Sequence, residues 1–195
     1  MAPILSVEDL TVSFSQPGRS IFAVRQVSLA VAARECVAIV GESGSGKTQV
    51  FMAAMGLLAG NAAAAGSVRF EDGEILGASP PQLNGIRGSK LTMIFQDPMT
   101  SLTPHLKIGT QLAEVLVCHA GASWGEARLA ARRMLERVRV PEPERRLSQY
   151  PHELSGGLRQ RVMIGMSLLC RPQLVIADEP TTALDVTVQA QIMDL

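Results

Sequence analysis

Gly41-Glu42-Ser43-Gly44-Ser45-Gly46-Lys47-Thr48 is the stretch on which the fold turns. It matches the pattern G-x-x-x-x-G-K-[ST] and lies between two recognisable flanks. Before it, CVAIV at residues 36–40 reads as a short buried strand; after it, residues 47–58 read as a helix. The glycines let the backbone curl so that successive N–H groups face inward, and the positive end of the following helix acts on the same anion. A polyphosphate suits this arrangement. Lys47 reaches the terminal phosphates as a point charge, and the Thr48 hydroxyl joins the coordination of a Mg²⁺ ion bridging them. By itself the loop leaves kinases, GTPases, helicases and transport ATPases open.

Two further segments narrow that choice. LVIADE at residues 174–179 sets Asp178 and Glu179 at the end of an apolar strand, where parallel sheets gather their ligands. Asp178 would hold Mg²⁺ through its water shell, and Glu179 would orient and deprotonate an attacking water. Alone, the two acids also read as caps of the turn before Pro180. LSGG at residues 154–157 opens an apolar-periodic helix containing Val162, Met166 and Leu169, with Ser155 as N-cap and Gly156 and Gly157 baring the first N–H groups. Such an end is another phosphate site, or simply a well-capped helix.

Around these motifs, residues 4–14 and 91–95 read as strands, and the small-residue tract AGNAAAAG at 59–66 reads as a surface loop. Two prolines break residues 97–104 into a loop. From Gln111 to Val140 the pattern is helical. Ala127, Ala130, Ala131, Met134, Leu135 and Val138 share one face, and the arginines opposite, mixed with Glu136, read as a solvated surface. Residues from Leu184 onward read as a last helix, with Val188, Ile192 and Leu195 on one face.

Composition excludes several classes. The chain has 195 residues, 47% of them apolar, which suits one domain with a buried core. Eighteen basic and eighteen acidic side chains cancel, so no nucleic-acid partner is expected. Cys36, Cys118 and Cys170 are far apart and lack metal-ligand spacing, which fits a reducing cytoplasm. The opening MAPILSVEDL does not read as a secretory signal. No apolar run reaches the roughly 20 residues that span a bilayer, so membrane association is expected to come through a partner.

Together these residues resemble the ATP-binding subunits of ABC transporters over essentially the whole chain: Walker A at GESGSGKT, the signature at LSGGLRQR, Walker B at LVIADEP and the D-loop at ALD. The resemblance implies an α/β P-loop NTPase fold with a mostly parallel RecA-like sheet, an N-terminal antiparallel β portion and an inserted α-helical subdomain. In a single ABC-type domain spanning 1–195, residues 1–97 and 171–195 would form the RecA-like core and residues 98–170 the helical subdomain with the signature. ATP and Mg²⁺ are the implied cofactors. Gly41 to Thr48 would bind the nucleotide, Phe14 would stack on adenine, and Gln96 in IFQDP would sense Mg²⁺ as the Q-loop. Thr48, Gln96 and Asp178 are the implied Mg²⁺ contacts, with Glu179, Gln96 and Lys47 catalytic. Ser155, Gly156 and Gly157 would complete the ATP site of a second ABC subunit, identical or not, with Asp185 at that interface.

Leu158 in place of the commoner glutamine, MIFQDPMTSLTP, YPHELSGG and DEPTTALDVTVQAQI are similar to the dipeptide, oligopeptide and nickel importer branch. That branch implies permease subunits in the membrane, a periplasmic or extracellular solute-binding protein acting indirectly, and a peripheral place on the cytoplasmic face of the inner membrane. Family members carry a switch histidine beyond the helix after the D-loop. None of His105, His119 and His152 matches it, so the chain reads as a truncated piece of a longer subunit. A short non-hydrolytic nucleotide-binding partner and a soluble ABC-type ATPase are the alternatives.

Overall fold

Leu5 and Val7, then Leu10 and Val12, are buried apolar residues in two alternating pairs separated by a phase change. A strand whose inward face shifts by one position needs a bulge, and β1 (Leu5–Gln16) has one. Asp9 takes φ 48° there. Its N–H donates to Ser28 Oγ at 2.9 Å, and the Gln26 N–H donates to Thr11 Oγ1 at 3.1 Å, so side chains satisfy backbone groups that the ladder loses. The computed structural model describes residues 3–97 and 101–180, and the chain divides into a unit of residues 1–85 and a unit of residues 86–195.

In the first unit β1 is flanked by β2 (Arg19–Val31) and β3 (Ala62–Phe70), both antiparallel to it, and β3 turns back into the two-residue β4 (Gly73–Glu74). The sheet order is β2-β1-β3-β4. The alanine tract expected as a loop is therefore largely strand, with Ala62 opposite Phe14 and Ala65 opposite Thr11. Pairing with β1 fixes it, and cross-strand pairing overrides the weak β preference of alanine. Gly66 makes this possible. It has φ +115°, and a Cβ there would lie 2.7 Å from the carbonyl oxygens of both Glu8 and Asp9, at the bulge.

Helix α1 (Lys47–Ala54) buries Val50, Ala53 and Ala54 and stops before the expected residue 58, because Gly56 takes φ 60°. A short helix, α2 (Pro80–Asn84), follows the sheet. Residues 36–40 are not a strand, contrary to their apolar pattern. Among the described residues no strand lies beside them, and Val37 and Val40 are exposed, Val40 at 92%. A strand exists only by bonding a neighbour.

The second unit is built on a parallel pair, β5 (Leu91–Ile94) and β6 (Leu174–Ala177). All four β5 residues are buried, as a continuous apolar run in parallel sheet requires. The expected helical stretch 111–140 is two helices, α3 (Ile108–Ala120) and α4 (Trp124–Arg137). Gly121 at φ 64° ends α3, and Ser123 caps α4 in a reciprocal box with Glu126. Then come α5 (Pro143–Leu147), a 3₁₀ turn (Pro151–Glu153) and α6 (Gly156–Leu168). Ile108, Leu112, Ala127, Ala131, Leu135, Val138, Leu147 and Val162 form a core that α3, α4, α5 and α6 share. The arginines of α4 face outward, with Arg132 bonded to Glu136 at 2.9 Å and Arg128 near Glu144 at 3.4 Å. Among the described residues no helix is long and apolar enough to cross a membrane.

Gly66→Ala should lower the unfolding free energy by about 2–3 kcal/mol, because strain at a left-handed position adds to a clash with two carbonyls. Urea titration followed by circular dichroism reads the change. An unchanged midpoint would show that the bulge tolerates a Cβ.

Candidate functional site

The candidate residues fall in both units, and each group stands in the setting of its own unit. In the first, Gly44 and Gly46 take φ 79° and 92°, and Gly46 is the N-cap of α1. The close approach at Gly46 explains why glycine stands there: a Cβ would lie 2.1 Å from the Ala23 carbonyl oxygen of β2. The loop is thus pressed onto the edge of the antiparallel sheet. Ser45 N–H closes a tight turn on the Glu42 carbonyl at 3.2 Å. The first turn of α1 carries no acidic side chain and no side-chain cap, so nothing on those atoms opposes an anion.

Lys47 folds back over this loop. Its Nζ donates to the Gly41 and Glu42 carbonyls, each at 2.8 Å. The cation therefore sits against the loop backbone and is fixed by it. Gly41, Glu42, Ser43, Gly44 and Ser45 are exposed, while Gly46, Lys47 and Thr48 are half-buried. Phe14 is half-buried on β1, opposite Ile21 and Ala62. The sequence reading passed over Phe22, an aromatic on β2 that is 49% exposed, with the Arg25 guanidinium 5.1 Å from its ring centroid. It precedes Ala23, the residue against which Gly46 packs.

In the second unit the parallel register does the positioning. Ile94 lies opposite Ala177, and the Asp178 N–H donates to the Ile94 carbonyl at 2.9 Å, extending the pair by one bond. Two residues past β5 and two past β6, Gln96 Nε2 donates to Glu179 Oε2 at 2.8 Å. Sequence reading assigned Gln96 and Glu179 to one site across 83 positions, and the structure brings them into contact. Glu179 has φ 47° before a proline, a conformation that both left-handed sterics and the following ring disfavour.

Ser155 caps α6, its Oγ accepting the Leu158 N–H at 3.4 Å, and Ser155 and Gly156 are exposed with Gly157 half-buried. His152 stacks on Tyr150, with centroids 5.7 Å apart, just before this cap. Asp185 lies outside the described residues. Gln111, which the sequence marks only as the start of a helical stretch, is 6% exposed among the apolar residues of α3. Its amide spans the segment after the Gln96 loop, accepting from Thr103 N–H and donating to the Thr103 and Leu106 carbonyls at 2.8–2.9 Å. A glutamine on the buried face of a helix was the available signal.

Within the first unit the loop fits a polyphosphate: it is a backbone cradle that a Cβ at Gly46 would displace, and the Thr48 hydroxyl is a hard oxygen donor of the type Mg²⁺ takes. Within the second, the amide oxygen of Gln96 and the carboxylate of Asp178 are donors of the same type.

Comparison with known proteins agrees with these motifs. A family model described as ABC transporter matches residues 24–182. The oligopeptide transport ATP-binding protein OppD of Escherichia coli (strain K12) is 55% identical over 192 residues, covering 98% of this chain and 57% of its own length. The dipeptide transport ATP-binding protein DppD of Bacillus subtilis (strain 168) is 48% identical over 197 residues, covering 100% and 59%. The chain thus spans less than two thirds of the length of these relatives. Among solved structures, the ATP-binding cassette MJ0796, in a dimeric post-hydrolysis state bound to ADP and Pi, superposes with a TM-score of 0.87 at 29% identity, over 97% of this chain and 80% of that one.

Gly46→Ala should abolish binding of inorganic tripolyphosphate in isothermal titration calorimetry while the far-ultraviolet circular dichroism stays near that of the unmodified chain. Retained binding would mean that the loop does not need its contact with Ala23.

Proposed function

Since the chain belongs to the ABC transporter family, we propose that it binds and hydrolyses ATP as the motor of an importer of peptides or a related solute. The observation that carries the hydrolytic part is the 2.8 Å bond between Gln96 and Glu179. A phosphate loop is common to many enzymes; a carboxylate fixed by an amide at the ends of two parallel strands, beside a serine-capped glycine helix, is far more specific. The extent of identity to the OppD and DppD proteins supports the importer branch.

In this reading Gly41, Glu42, Ser43, Gly44, Ser45 and Gly46 present their amides to the phosphates, and Lys47 directs its ammonium at the terminal phosphate oxygens. Thr48, Gln96 and Asp178 would hold Mg²⁺, which would supply neutralisation of phosphate charge. Glu179 aligns a water and accepts its proton as the terminal phosphoryl group is transferred to it. Gln96 keeps the carboxylate aimed. Phe14 supplies the surface for adenine. Ser155, Gly156 and Gly157 offer a helix end to the nucleotide of a second ABC subunit, with Asp185 at that junction. Residues 1–97 and 171–195 form the core of this motor, and residues 98–170 the helical part that meets the permease. The place of work is the cytoplasmic face of the inner membrane, with a solute-binding protein acting through the permease.

Phosphate release and nucleotide binding by the full natural polypeptide test these roles. Lys47→Ala should lose nucleotide binding; Glu179→Gln should bind MgATP, accumulate as a closed dimer and turn over about 100-fold more slowly or less, the scale of a missing general base. Normal turnover in either variant would refute the assignment. Copurification with membrane permease subunits supports transport, whereas retention on ribosomes or DNA would replace it with a soluble ATPase.

A further inference from the structure

Gln160 is the only fully buried polar side chain among the large ones in the described core, at 0% exposure, on a helix whose neighbours Val162, Met163 and Ile164 are apolar. An amide in that setting is unfavourable unless its groups are bonded, and a methionine would fill the same volume without that demand. Its Nε2 donates to the Pro180 carbonyl at 2.5 Å, across 20 positions. That carbonyl belongs to the residue after Glu179.

We propose that Gln160 is a positioning residue: it clamps the strained Glu179-Pro180 turn to α6, so that the helix opened by Ser155 and the acid that activates water move as one body. The proposal rests on the hydrolytic reading of Glu179. Left-handed backbone before a proline persists only where surrounding bonds over-determine it. Here the bonds come from two directions. Asp178 N–H to Ile94 O and Gln96 to Glu179 tie the turn to the β5 side, and Gln160 ties it to the helix. Gln160 is five residues after the N-cap Ser155, about 7.5 Å along a helix that is continuous between them. Whatever engages Ser155, Gly156 and Gly157 therefore displaces the Gln160 amide and, through Pro180, the Glu179 carboxylate. The residue touches neither substrate nor water; it acts through the turn.

Gln160→Met in the full natural polypeptide keeps length and volume and removes the N–H donor. Its expected signature is a KM for MgATP within twofold of the unmodified protein with kcat at least tenfold lower. Hydrogen exchange in the absence of nucleotide should be at least tenfold faster at the Asp178 and Glu179 amides and unchanged at those of residues 162–167. Gln160→Asn, one methylene too short to reach Pro180, should behave alike and serves if the methionine variant does not fold. Unmodified kcat and exchange at Asp178 and Glu179 would overturn the clamp while leaving the ATPase reading intact. Exchange accelerated uniformly along α6 would also overturn it, as the mark of a merely structural glutamine. If the unmodified protein releases no phosphate, the ATPase reading falls, and the exchange measurement still decides whether the clamp exists.

Discussion

Leu91 lies opposite Leu174 and Ile94 opposite Ala177, and this parallel register determines where every polar group beyond the two strands falls. Slipping the pairing by one residue would turn each side chain to the opposite face and carry Gln96 away from Glu179. Several features hold it. The Lys90 carbonyl accepts the Gln173 and Leu174 N–H groups at 2.8 and 3.1 Å where the pair begins, and Asp178 N–H bonds Ile94 O where it ends. Burial of all of β5 makes any other register costly. Within the pair, Thr92 Oγ1 is buried and has no hydrogen-bond partner among the described residues.

The first unit solves a different problem. Its antiparallel sheet must present a rigid edge to a glycine loop, and two glycines allow this at contacts no side chain would fit. Gly66 admits the bulge of β1, which keeps both halves of that strand facing the core despite the phase change. Gly46 admits the loop itself, against Ala23. One glycine lets the scaffold close and the other lets the loop lie on it. The larger residues nearby, Phe22 and Arg25, remain at the surface as a stacked pair.

What could be read from the sequence was local or carried by motif. The loop at residues 41–48, the N-cap at Ser155 and the strand before Asp178 each depend on neighbours within a few positions, so residue type sufficed to locate them. The ABC resemblance added Gln96, whose partner lies 83 residues away and has no local signal. Failures fell where distant pairing decides. Ala62 to Ala65 have little preference of their own and become strand through β1. Residues 36–40 have the composition of a strand and yet, apart from the half-buried Ile39, are exposed, since apolar pattern states what a segment could bury and not whether a neighbour is at hand. Gln111 and Gln160 escaped notice because a buried polar residue has no periodicity, only a mismatch with the face it occupies.

Lys47 resting on the Gly41 and Glu42 carbonyls concentrates positive charge where the loop turns. Fixing a lysine side chain costs about 1.5–2 kcal/mol of rotamer entropy, and bonds within the loop itself offset that cost. An ammonium has three donors, and the two carbonyls account for two of them. The same two hydrogen bonds thus make the position of the charge a property of the loop backbone rather than of the helix that carries the residue.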